Sequence, residues 1–530
     1  MPATKFPIEL PDHAWGPRPT RREFLLYMGA AVAVAACGDD DRSPGAAVPP
    51  APQLDLDPFA LGVASGDPLP ESVILWTRLA PEPTTGGGMP ATDVPVVWEV
   101  ALDADFAQIV RSGWAWATPG LAHSLHIDAD GLAPDTWYWY RFRIDGQWTS
   151  PTGRTRTLPA FDARPEAFTI ISATCQNYVQ GFYTSHFHLA QEDVDLVAFL
   201  GDYIYEGAGS GQARTHVGPK LRTLADYRNR YGQYRSDANL QAAHQRCPWV
   251  VTWDDHEVSN NYAGLILQAG ENDVDDVLAL RRNAYQAYYE HMPVRLPVPD
   301  DFGHMQIYQS FDVGDLARVH VLDGRQYRSD QACGDRIVRC PEVDDPSRTM
   351  LGIEQKQWLK ENLDGAAGIW NVIAQQTVFT PIVIQNNFVN NDQWDGYAVE
   401  QQELLTFFRD VRNPVILTGD IHLAGLGLLP ADARDPSSPV VGYEVVTTSI
   451  SSNGDGTNEL GDLIERAIGL VPNVRYINAR NRGYSVCHFT RERLRVEYRI
   501  VSTVLAETAE VGTDKIFEVE ADTLALTEVL

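Results

Sequence analysis

Cysteine is scarce in this sequence, with six residues spread over a chain of 530. So few cysteines exclude a scaffold held together by disulfides, the device of small secreted domains that cannot build a sufficient core. A chain of this length, 44% of it hydrophobic, can instead bury substantial cores, and domain-size statistics favour two or more domains. Internal repeats are absent as well, which excludes a repeat architecture.

Basic residues are few relative to acidic ones. Lysine and arginine together number 42 against 71 aspartates and glutamates, which gives a formal net charge of −29. This charge repels nucleic-acid backbones and anionic membrane surfaces, so a nucleic-acid-binding regulator is excluded. Most of the 71 acidic residues are expected to form a solvated surface, and only local clusters of them can hold hard cations.

The N-terminal residues have the features of an export signal. The run "TRREFL" places Arg21 and Arg22 before an apolar segment, residues 25–36, that is too short to span a bilayer as a mature helix. We therefore expect residues 1–37 to be a twin-arginine signal peptide, a kind of signal that exports proteins already folded around their metals.

The end of this segment predicts how the exported protein is processed. Small residues precede Cys37 in "VAACG", which resembles a bacterial lipobox, and the alternative is an ordinary signal-peptidase site. Residues 38–55 contain several prolines and aspartates and are expected to form a flexible tether. The protein is thus expected in the periplasm, in the extracellular space or, through a lipid anchor on Cys37, at a membrane surface.

Residues 56–160 alternate short apolar segments with turn residues, the pattern of a small β-sandwich. The phrase "GLAPDTWYWYRF" looks like the strand-closing part of a fibronectin type III-like or immunoglobulin-like domain. Trp76, Trp98 and Tyr140 are expected to be core residues of this domain, without a catalytic role.

Residues 165–530 follow a different pattern, in which apolar runs end in polar, aspartate-rich turns. Helix-like stretches at residues 221–243 and 273–291 lie between some of these runs. The alternation predicts a layered α/β domain whose strands are buried between helices. Ligands of such folds gather beyond the C-terminal ends of the strands, where the polar turns lie. The runs are "AFTIISATCQ", "VDLVAFLGDYIYE", "PWVVTWDDHE", "ARVHVLDGRQY" and "NPVILTGDIHLAGL".

Four of these strand ends carry side chains that bind metals. A single aspartate after a strand is most often a helix cap or a turn residue. Repetition at four strand ends of one domain is not easily accidental, and it predicts a metal centre. The residues are Cys175 at the first strand end, Asp202 and Tyr205 at the second, Asp254, Asp255 and His256 at the third, and Asp420 and His422 at the fourth.

The order G-D-x-x-Y, D-H-E and G-D-x-H resembles the metallophosphoesterase superfamily. The combination of "TCQNY", "GDYIYE", "TWDDHE", "GDIHLAGL", "LDGRQYRSD" and "WDGY" is similar to the PhoD-like alkaline phosphatases. The resemblance covers nearly all of the mature chain. It implies a calcineurin-like core of β-sheets flanked by helices over residues 165–530, preceded by the all-β domain, and an exported metal-dependent phosphatase.

The donor types indicate which metals this centre takes. Asp202 has two carboxylate oxygens, so it can bridge two cations at the ~3.5–4 Å spacing of two-metal hydrolases. The thiolate of Cys175 and the phenolate of Tyr205 suit Fe³⁺, with His422 as the imidazole ligand.

The second position has oxygen donors only. Asp202, Asp255 and Asp420 suit one or two Ca²⁺ ions. In the wider superfamily an asparagine and a histidine commonly stand where Asp255 and Asp420 stand here, and this departure supports calcium. Either Asp254 or Asp255 could be the ligand. We prefer Asp255 because it directly precedes His256.

The resemblance also implies roles for two further residues. His256 matches the superfamily histidine that faces the phosphate, so we expect it to protonate or stabilise the leaving oxygen. Arg325 is a candidate for contacting a phosphate oxygen, and an ordinary ion pair is the alternative. The expected reaction is attack of a metal-bound hydroxide on the phosphorus of small phosphate monoesters, and of diesters as well.

Two other functions compete with this one. A phosphodiesterase or phospholipase D-like enzyme acting on lipid or cell-wall phosphodiesters would use the same centre. An exported calcium-binding adhesion module would combine the β-sandwich with structural calcium, but structural calcium sites rarely need cysteine, tyrosine and histidine donors.

The remaining cysteines and the C-terminus are expected to be structural. Cys333 and Cys340 bracket a short polar loop and predict a small disulfide, whereas Cys247 and Cys487 lie in apolar surroundings and are expected to be buried. Residues 503–530 are expected to form a structural tail, with a lid over the site as the alternative.

The export signal can be tested by replacing both Arg21 and Arg22 with lysine. The double variant should stay in the cytoplasm, because the signal depends on the paired arginines. Immunoblots of cell fractions measure this. Export of the variant at the normal level would show that the segment is not a twin-arginine signal.

Overall fold

Strands dominate the part of the chain that the computed structural model describes, which comprises residues 47–271, 274–366, 368–382, 390–456 and 458–530. The predicted signal peptide, with Cys37, and residues 38–46 of the predicted tether lie outside these ranges. Among the described residues no helix has both the length and the apolar composition that a membrane span requires.

The strands run in chain order through the described residues. They are β1 (Val63–Gly66), β2 (Val73–Arg78), β3 (Val94–Ala101), β4 (Ile109–Ala117), β5 (Ser124–Ala129), β6 (Trp137–Ile144), β7 (Trp148–Thr149), β8 (Gly153–Arg156), β9 (Ala167–Ala173), β10 (Leu196–Leu200), β11 (Trp249–Thr252), β12 (Gln309–Val313), β13 (Ala317–Val321), β14 (Trp370–Ala374), β15 (Pro414–Thr418), β16 (Ala424–Pro430), β17 (Val440–Val446), β18 (Val474–Asn478), β19 (Arg482–Thr490), β20 (Arg493–Val501), β21 (Val511–Glu520) and β22 (Leu526–Glu528).

Helices connect several of these strands. They are α1 (Thr184–Leu189), α2 (Leu224–Arg235), α3 (Ala238–Arg246), α4 (Val277–His291), α5 (Gly352–Leu363), α6 (Ala398–Phe408) and α7 (Asn458–Ile468), with short 3-10 helices at Pro119–Leu121, Ala332–Gly334, Pro341–Asp344 and Trp394–Tyr397.

Hydrogen bonds join the strands into sheets. The first sheet has ten strands in the order β22-β21-β20-β19-β9-β10-β11-β1-β2-β5, and the second has seven in the order β12-β13-β14-β15-β17-β16-β18. In the first sheet β9, β10 and β11 are parallel neighbours. Parallel neighbours end at the same edge of a sheet, so the polar turns after these three strands lie side by side.

The first two sheets pack against each other. Side chains alternate between the two faces of a strand, so Ile170 and Ile171 of β9 enter different cores. Ile170 belongs to a core that also contains Val319, Val372 and Val415 of the second sheet. This core separates the two sheets and aligns the ends of their strands.

Helices cover the outer faces of both sheets. Ile171 of the first sheet packs in a core with Leu240 of α3, and Ile373 of the second sheet packs in a core with Leu404 of α6. The expected mixed α/β protein with large sheets is confirmed. Each sheet, however, lies between the other sheet and one layer of helices, and not between two layers of helices as the apolar runs predicted.

The first eight strands are divided between two sheets. β1, β2 and β5 extend the first sheet, while β3, β4, β6, β7 and β8 form a third sheet. The two sets share a core that includes Leu75 and Ile127 on one side and Val96 and Phe142 on the other. Residues 48–530 form a single unit by their contacts, and the predicted domain boundary near residue 160 stays a prediction.

Aromatic side chains of this region serve the packing. Trp76 and Tyr140 are fully buried, and Trp98 is half-buried against the shared core. The Trp76 indole donates a hydrogen bond to the backbone carbonyl of Glu290 in α4. None of these aromatic residues belongs to the candidate site, as the sequence analysis expected.

The two predicted helical stretches are helical with shifted limits. Residues 221–243 form α2 and then α3, because the Asp237 carboxylate accepts hydrogen bonds from the amides of Asn239 and Leu240 and so begins a new helix. Residues 273–291 correspond to α4, which is capped by Asp276 and begins at Val277. Residue 273 itself lies outside the described residues.

The cysteine predictions are confirmed. Cys333 and Cys340 form a disulfide, and Cys247 and Cys487 are free, buried thiols. At the C-terminus β21 pairs with β20 and β22 pairs with β21, so this segment is part of the first sheet, as a structural tail requires.

Candidate metal centre

The candidate metal ligands follow four strands. Cys175 comes two residues after β9, Asp202 two after β10, Asp255 three after β11 and Asp420 two after β15. The first three strands are parallel neighbours in the first sheet, and the fourth lies in the second sheet. Face-to-face packing therefore brings the four turns together.

The backbone at these turns has an unusual conformation. Cys175, Asp202, Asp420 and His422 have positive φ angles of 58°, 57°, 64° and 58°. Residues other than glycine seldom adopt such angles, which cost free energy and cluster at functional sites. The conformation turns each side chain sharply away from its strand.

Two glycines allow the turns to approach one another. A Cβ atom on Gly201 would lie 2.4 Å from Cβ of Asp254, and one on Gly419 would lie 2.5 Å from Oγ1 of Thr174. No larger residue fits at either position without displacing its neighbour. In each "GD" pair the glycine thus allows a close approach of the neighbouring turn, and the aspartate that follows it is a predicted metal ligand.

A buried carboxylate ties two of the turns together. Glu257 accepts hydrogen bonds from the backbone amides of Asp202, at 3.1 Å, and Asp254, at 2.8 Å. Burial, followed by the charge of Asp202, raises the pKa of Glu257 to about 8. Its role is to hold the ends of β10 and β11 at a fixed distance.

The predicted iron ligands lie together. One ligand atom each of Cys175, Asp202 and His422 lies within 4.8 Å of the others. The Tyr205 hydroxyl donates to Asp202 Oδ2 at 2.7 Å and lies 3.2 Å from Nε2 of His422. It is also 2.6 Å from Oγ of Ser452.

The predicted calcium ligands form an adjoining group. Ligand atoms of Asp202, Asp255 and His256 lie within 4.8 Å of one another, as do those of Asp254, Asp255 and Asp420. Asp202 is common to this group and to the predicted iron ligands. Both Asp254 and Asp255 lie close to Asp420, so the choice of Asp255 as the ligand stays a prediction.

The electrostatics of the predicted ligands favour a bound cation. Burial, and next the charge of Asp202, raise the pKa values of the Cys175 thiol and the Tyr205 phenol well above their ordinary ranges. Burial, and next Asp392, raise the pKa of Asp420 to about 7. These groups repel one another as anions, and cations among them would remove that repulsion.

Unpartnered oxygens give a second indication of a cation. Oδ2 of Asp254 and Oδ1 of Asp255 are buried and accept no hydrogen bond from the described residues. A buried carboxylate oxygen without a partner costs free energy. A hard cation is the natural partner for such oxygens, so the residues present fit the metals that the sequence predicted.

Arg325 lies beneath the centre, among its carboxylates. Its guanidinium bonds Asp254 and donates to both oxygens of Asp392, at 2.6 and 2.9 Å. Nη2 lies 3.7 Å from a carboxylate oxygen of Asp255 and 3.7 Å from one of Asp420. The side chain is 0% exposed, which favours a role in holding the carboxylates over the predicted contact with a phosphate oxygen.

Asp392 and Gln393 complete the support of Arg325 and Asp420. Asp392 also accepts a hydrogen bond from Arg328, and Gln393 donates one to Oδ2 of Asp420. The disulfide loop 333–340 orders this segment, because its backbone carbonyls at Arg336 and Val338 accept hydrogen bonds from the side chain of Asn391.

His256 stands at the edge of the centre. Its side chain is 18% exposed, and its ring stacks on Tyr205 with the centroids 4.1 Å apart. Nδ1 lies 2.7 Å from Oε2 of Glu206. Burial alone would lower the pKa of His256, but Glu206 and then Asp255 outweigh it and raise that pKa well above its ordinary value.

The sequence analysis missed several of these supporting residues. Glu206 and Glu257 end the quoted motifs "GDYIYE" and "TWDDHE", and a buried histidine's need for a partner is the signal that could have found Glu206. Asp392, Gln393 and Ser452 lie in parts of the chain whose sequence has no such signal. All eight predicted site residues, by contrast, lie at or directly beneath the centre.

This arrangement defines a class of protein. An α/β fold whose strand ends carry thiol, phenol, imidazole and shared carboxylate donors, with a second imidazole beside them, is that of a metal-dependent hydrolase.

Comparison with known proteins identifies the family. Residues 168–498 match the family described as PhoD-like phosphatase, and residues 45–159 match the PhoD-like phosphatase N-terminal domain. The chain belongs to the PhoD-like phosphatase family and is a phosphoric ester hydrolase.

Individual relatives agree with this assignment. The chain is 44% identical to alkaline phosphatase D of Bacillus subtilis (strain 168) over 522 residues, which are 96% of this chain and 89% of that protein. It is similar to the solved structure of PhoD, with a TM-score of 0.86 and 45% identity over 91% of this chain and 94% of that one. Purple acid phosphatase 23 of Arabidopsis thaliana is 23% identical over 58% of this chain and 57% of that protein.

Substitutions of Arg325 test whether it holds the carboxylates. Arg325→Lys and Arg325→Met should both lower the amount of metal bound per chain, because neither side chain has the fork of donors with which arginine bonds Asp254 and Asp392 together. Arg325→Met should also be destabilised by about 3–5 kcal/mol, the usual cost of breaking a buried ion pair. Elemental analysis and thermal unfolding measure these effects.

Arg318→Met is the matched control, since Arg318 pairs with Asp312 at a half-buried site remote from the ligands. It should keep its metals and lose at most about 1 kcal/mol. Normal metal content and stability of the Arg325 variants, with a large increase in KM, would show that Arg325 contacts the phosphate instead.

Proposed function

We propose that this protein is an exported phosphatase that hydrolyses small phosphate monoesters, and diesters as well, at a centre of Fe³⁺ and one or two Ca²⁺ ions. The observation that carries the proposal is the position of Asp202, whose carboxylate belongs both to the group with Cys175 and His422 and to the group with Asp255. Family membership supplies the reaction class.

The proposed ligands follow from the donor types. Cys175, Tyr205 and His422 would hold iron, Asp255 and Asp420 would hold calcium, and Asp202 would be shared. When bound, the cations would supply Lewis acidity, which acidifies water and neutralises charge on the phosphoryl oxygens.

His256 is proposed to donate a proton to the leaving oxygen. Its Nδ1 is occupied by Glu206, which leaves Nε2 free to face a substrate. Glu206, and next Asp255, raise the pKa of His256 well above its ordinary value, which favours the protonated form that a general acid requires.

Glu206 is proposed to be a positioning residue. It accepts a hydrogen bond from the backbone amide of Asn260 at 3.0 Å as well as holding His256, so both the carboxylate and the ring have one orientation. Because the His256 ring has a fixed orientation, less conformational entropy is lost when it reaches the geometry required for proton transfer.

The finer architecture and the location are part of the proposal. The packing of the first two sheets, with ligands at their strand ends, supports a calcineurin-like metallophosphoesterase core over residues 165–530. The shared core of the first eight strands supports a fibronectin type III-like domain over residues 56–160. Twin-arginine export, with or without a lipid on Cys37, rests on the sequence motif alone.

The competing functions receive less support. An adhesion module does not account for the membership in a phosphatase family or for the thiol and phenol donors. An enzyme dedicated to lipid or cell-wall phosphodiesters would use the same ligands. It would differ from a monoesterase in the surface that binds the ester groups, which must accommodate a second substituent on the phosphate.

Metal analysis tests the composition of the centre. Purified protein should contain iron and calcium, and a visible charge-transfer band should arise from the Cys175 or Tyr205 donor. Removal of calcium by a chelator should abolish hydrolysis, and calcium should restore it. A protein without iron, or one that is fully active after all metals are removed, would contradict the proposal.

Two alanine substitutions separate a metal ligand from an acid. Asp202→Ala should lose both metals and activity, whereas His256→Ala should keep the metals and lose about 10²–10⁴-fold in rate. The loss should be larger for alkyl esters than for activated aryl esters, whose leaving groups depart without a proton. Glu206→Gln should show the same dependence with a smaller loss.

Elemental analysis and kcat for both ester types measure these outcomes. If His256→Ala loses metal, or is impaired equally on both ester types, His256 is a ligand or a scaffold residue. If Glu206→Gln is impaired equally on both types, the carboxylate supports the fold and not the orientation of His256.

A further inference from the structure

An apolar cavity of about 260 Å³ lies beside the metal centre. Its floor is formed by Val378, Leu423 and Val446, which are 5–8% exposed and constitute a small buried cluster of their own. Ile464 and Ile468, one turn apart on the same face of α7, form one wall.

Most of the polar groups at the cavity are already bonded, and the exception is the buried hydroxyl of Thr380, which has no hydrogen-bond partner among the described residues. Asp395 accepts hydrogen bonds from the Ile382 amide, at 3.0 Å, and from the Gln401 side chain, at 3.2 Å. Burial raises the pKa of Asp395 to about 6, although these two hydrogen bonds and the charge of Arg339 act in the opposite direction. Apart from this hydroxyl, the surface that remains for a ligand is mainly aliphatic.

The cavity adjoins the candidate centre. Ile421, which lies between Asp420 and His422 in the chain, lines it and is half-buried. Gln393 lines it as well and donates a hydrogen bond to Asp420. These two residues place the cavity next to Asp420, while none of the eight predicted site residues lines it.

We propose that this cavity binds the ester group of the substrate and selects phosphate monoesters of a single apolar chain or ring. The inference rests on the proposed function and names its substrate class. Hydrolysis adds water across the P–O bond, so the apolar alcohol leaves from the cavity and inorganic phosphate leaves from the metals.

The size of the cavity limits the occupant. Pockets for drug-sized ligands measure about 300–1,000 Å³, so a cavity of about 260 Å³ suits one short chain or one ring. A membrane lipid with two acyl chains exceeds it. The substrate is accordingly a dispersed, single-chain ester rather than a lipid drawn from a bilayer.

Chain length gives the measurement. Across methyl, butyl, hexyl and octyl phosphate below their micelle concentrations, kcat/KM should rise with each added methylene until the cavity is full. The increase should reach as much as about fourfold per methylene, which is the fold-change that corresponds to ~0.8 kcal/mol per buried CH₂. Phosphatidic acid in vesicles should be hydrolysed no faster than methyl phosphate.

A pair of variants on α7 localises the effect. Ile468→Trp should fill the cavity and reduce the preference for octyl over methyl phosphate by at least tenfold. Leu463→Trp is the matched control, because Leu463 lies on the same helix, is 64% exposed and does not line the cavity. Its preference should equal that of the unaltered protein.

Binding of phosphonates, which are not hydrolysed, separates this inference from the proposed function. Calorimetry should show that octylphosphonate binds more tightly than methylphosphonate to the metal-loaded protein. Turnover of methyl phosphate without any dependence on chain length, or an unchanged preference in Ile468→Trp, overturns the cavity assignment and leaves the phosphatase intact. Tighter octylphosphonate binding without hydrolysis of any ester supports the cavity and overturns the proposed function.

Discussion

The repulsion among buried acidic groups is the constraint on which this structure depends. Asp202, Asp255 and Asp420 converge with a thiol and a phenol in a place from which water is largely excluded. One buried cation, Arg325, offsets part of this charge from beneath. The rest is left for metals, and the scaffold must hold the ligands together until the metals arrive. The hydrogen bonds that Glu257 and Asp392 accept and the one that Gln393 donates do this, and they explain why so many polar residues are buried around the centre.

Because the acidic ligands repel one another, the sheets and the turns have different roles in holding them. Buried strands packed on both faces fix where each turn begins, with little room for adjustment. The positive φ angles at Cys175, Asp202, Asp420 and His422 cost free energy that such a scaffold can bear, and they aim the side chains inward. A looser scaffold would relax these turns and separate the ligands. The geometry of the centre therefore depends on the stability of the two sheets.

The sequence predicted the centre better than its surroundings. The ligands follow apolar runs that only a buried strand explains, so their location could be derived, and the motif resemblance supplied their grouping. The division of the first eight strands between two sheets could not be foreseen, because pairing such as Gly66 with Trp249 joins residues distant in the chain. The same limit applies to Asp392, whose function exists only because folding brings it to Arg325. The role of Arg325 could be recognised only from the structure, because the sequence does not show whether an arginine forms its ion pair at the surface or in the interior.

The charge of the whole protein adds a last constraint on its substrates. The formal net charge of −29 disfavours attraction of phosphate esters at long range. Affinity must come from short-range interactions, either with cations at the centre or with apolar surface near it. Cations attract every phosphate alike, inorganic phosphate included, and therefore cannot favour substrate over product. An apolar cavity beside the ligands can, because it contacts the ester group that only the substrate possesses.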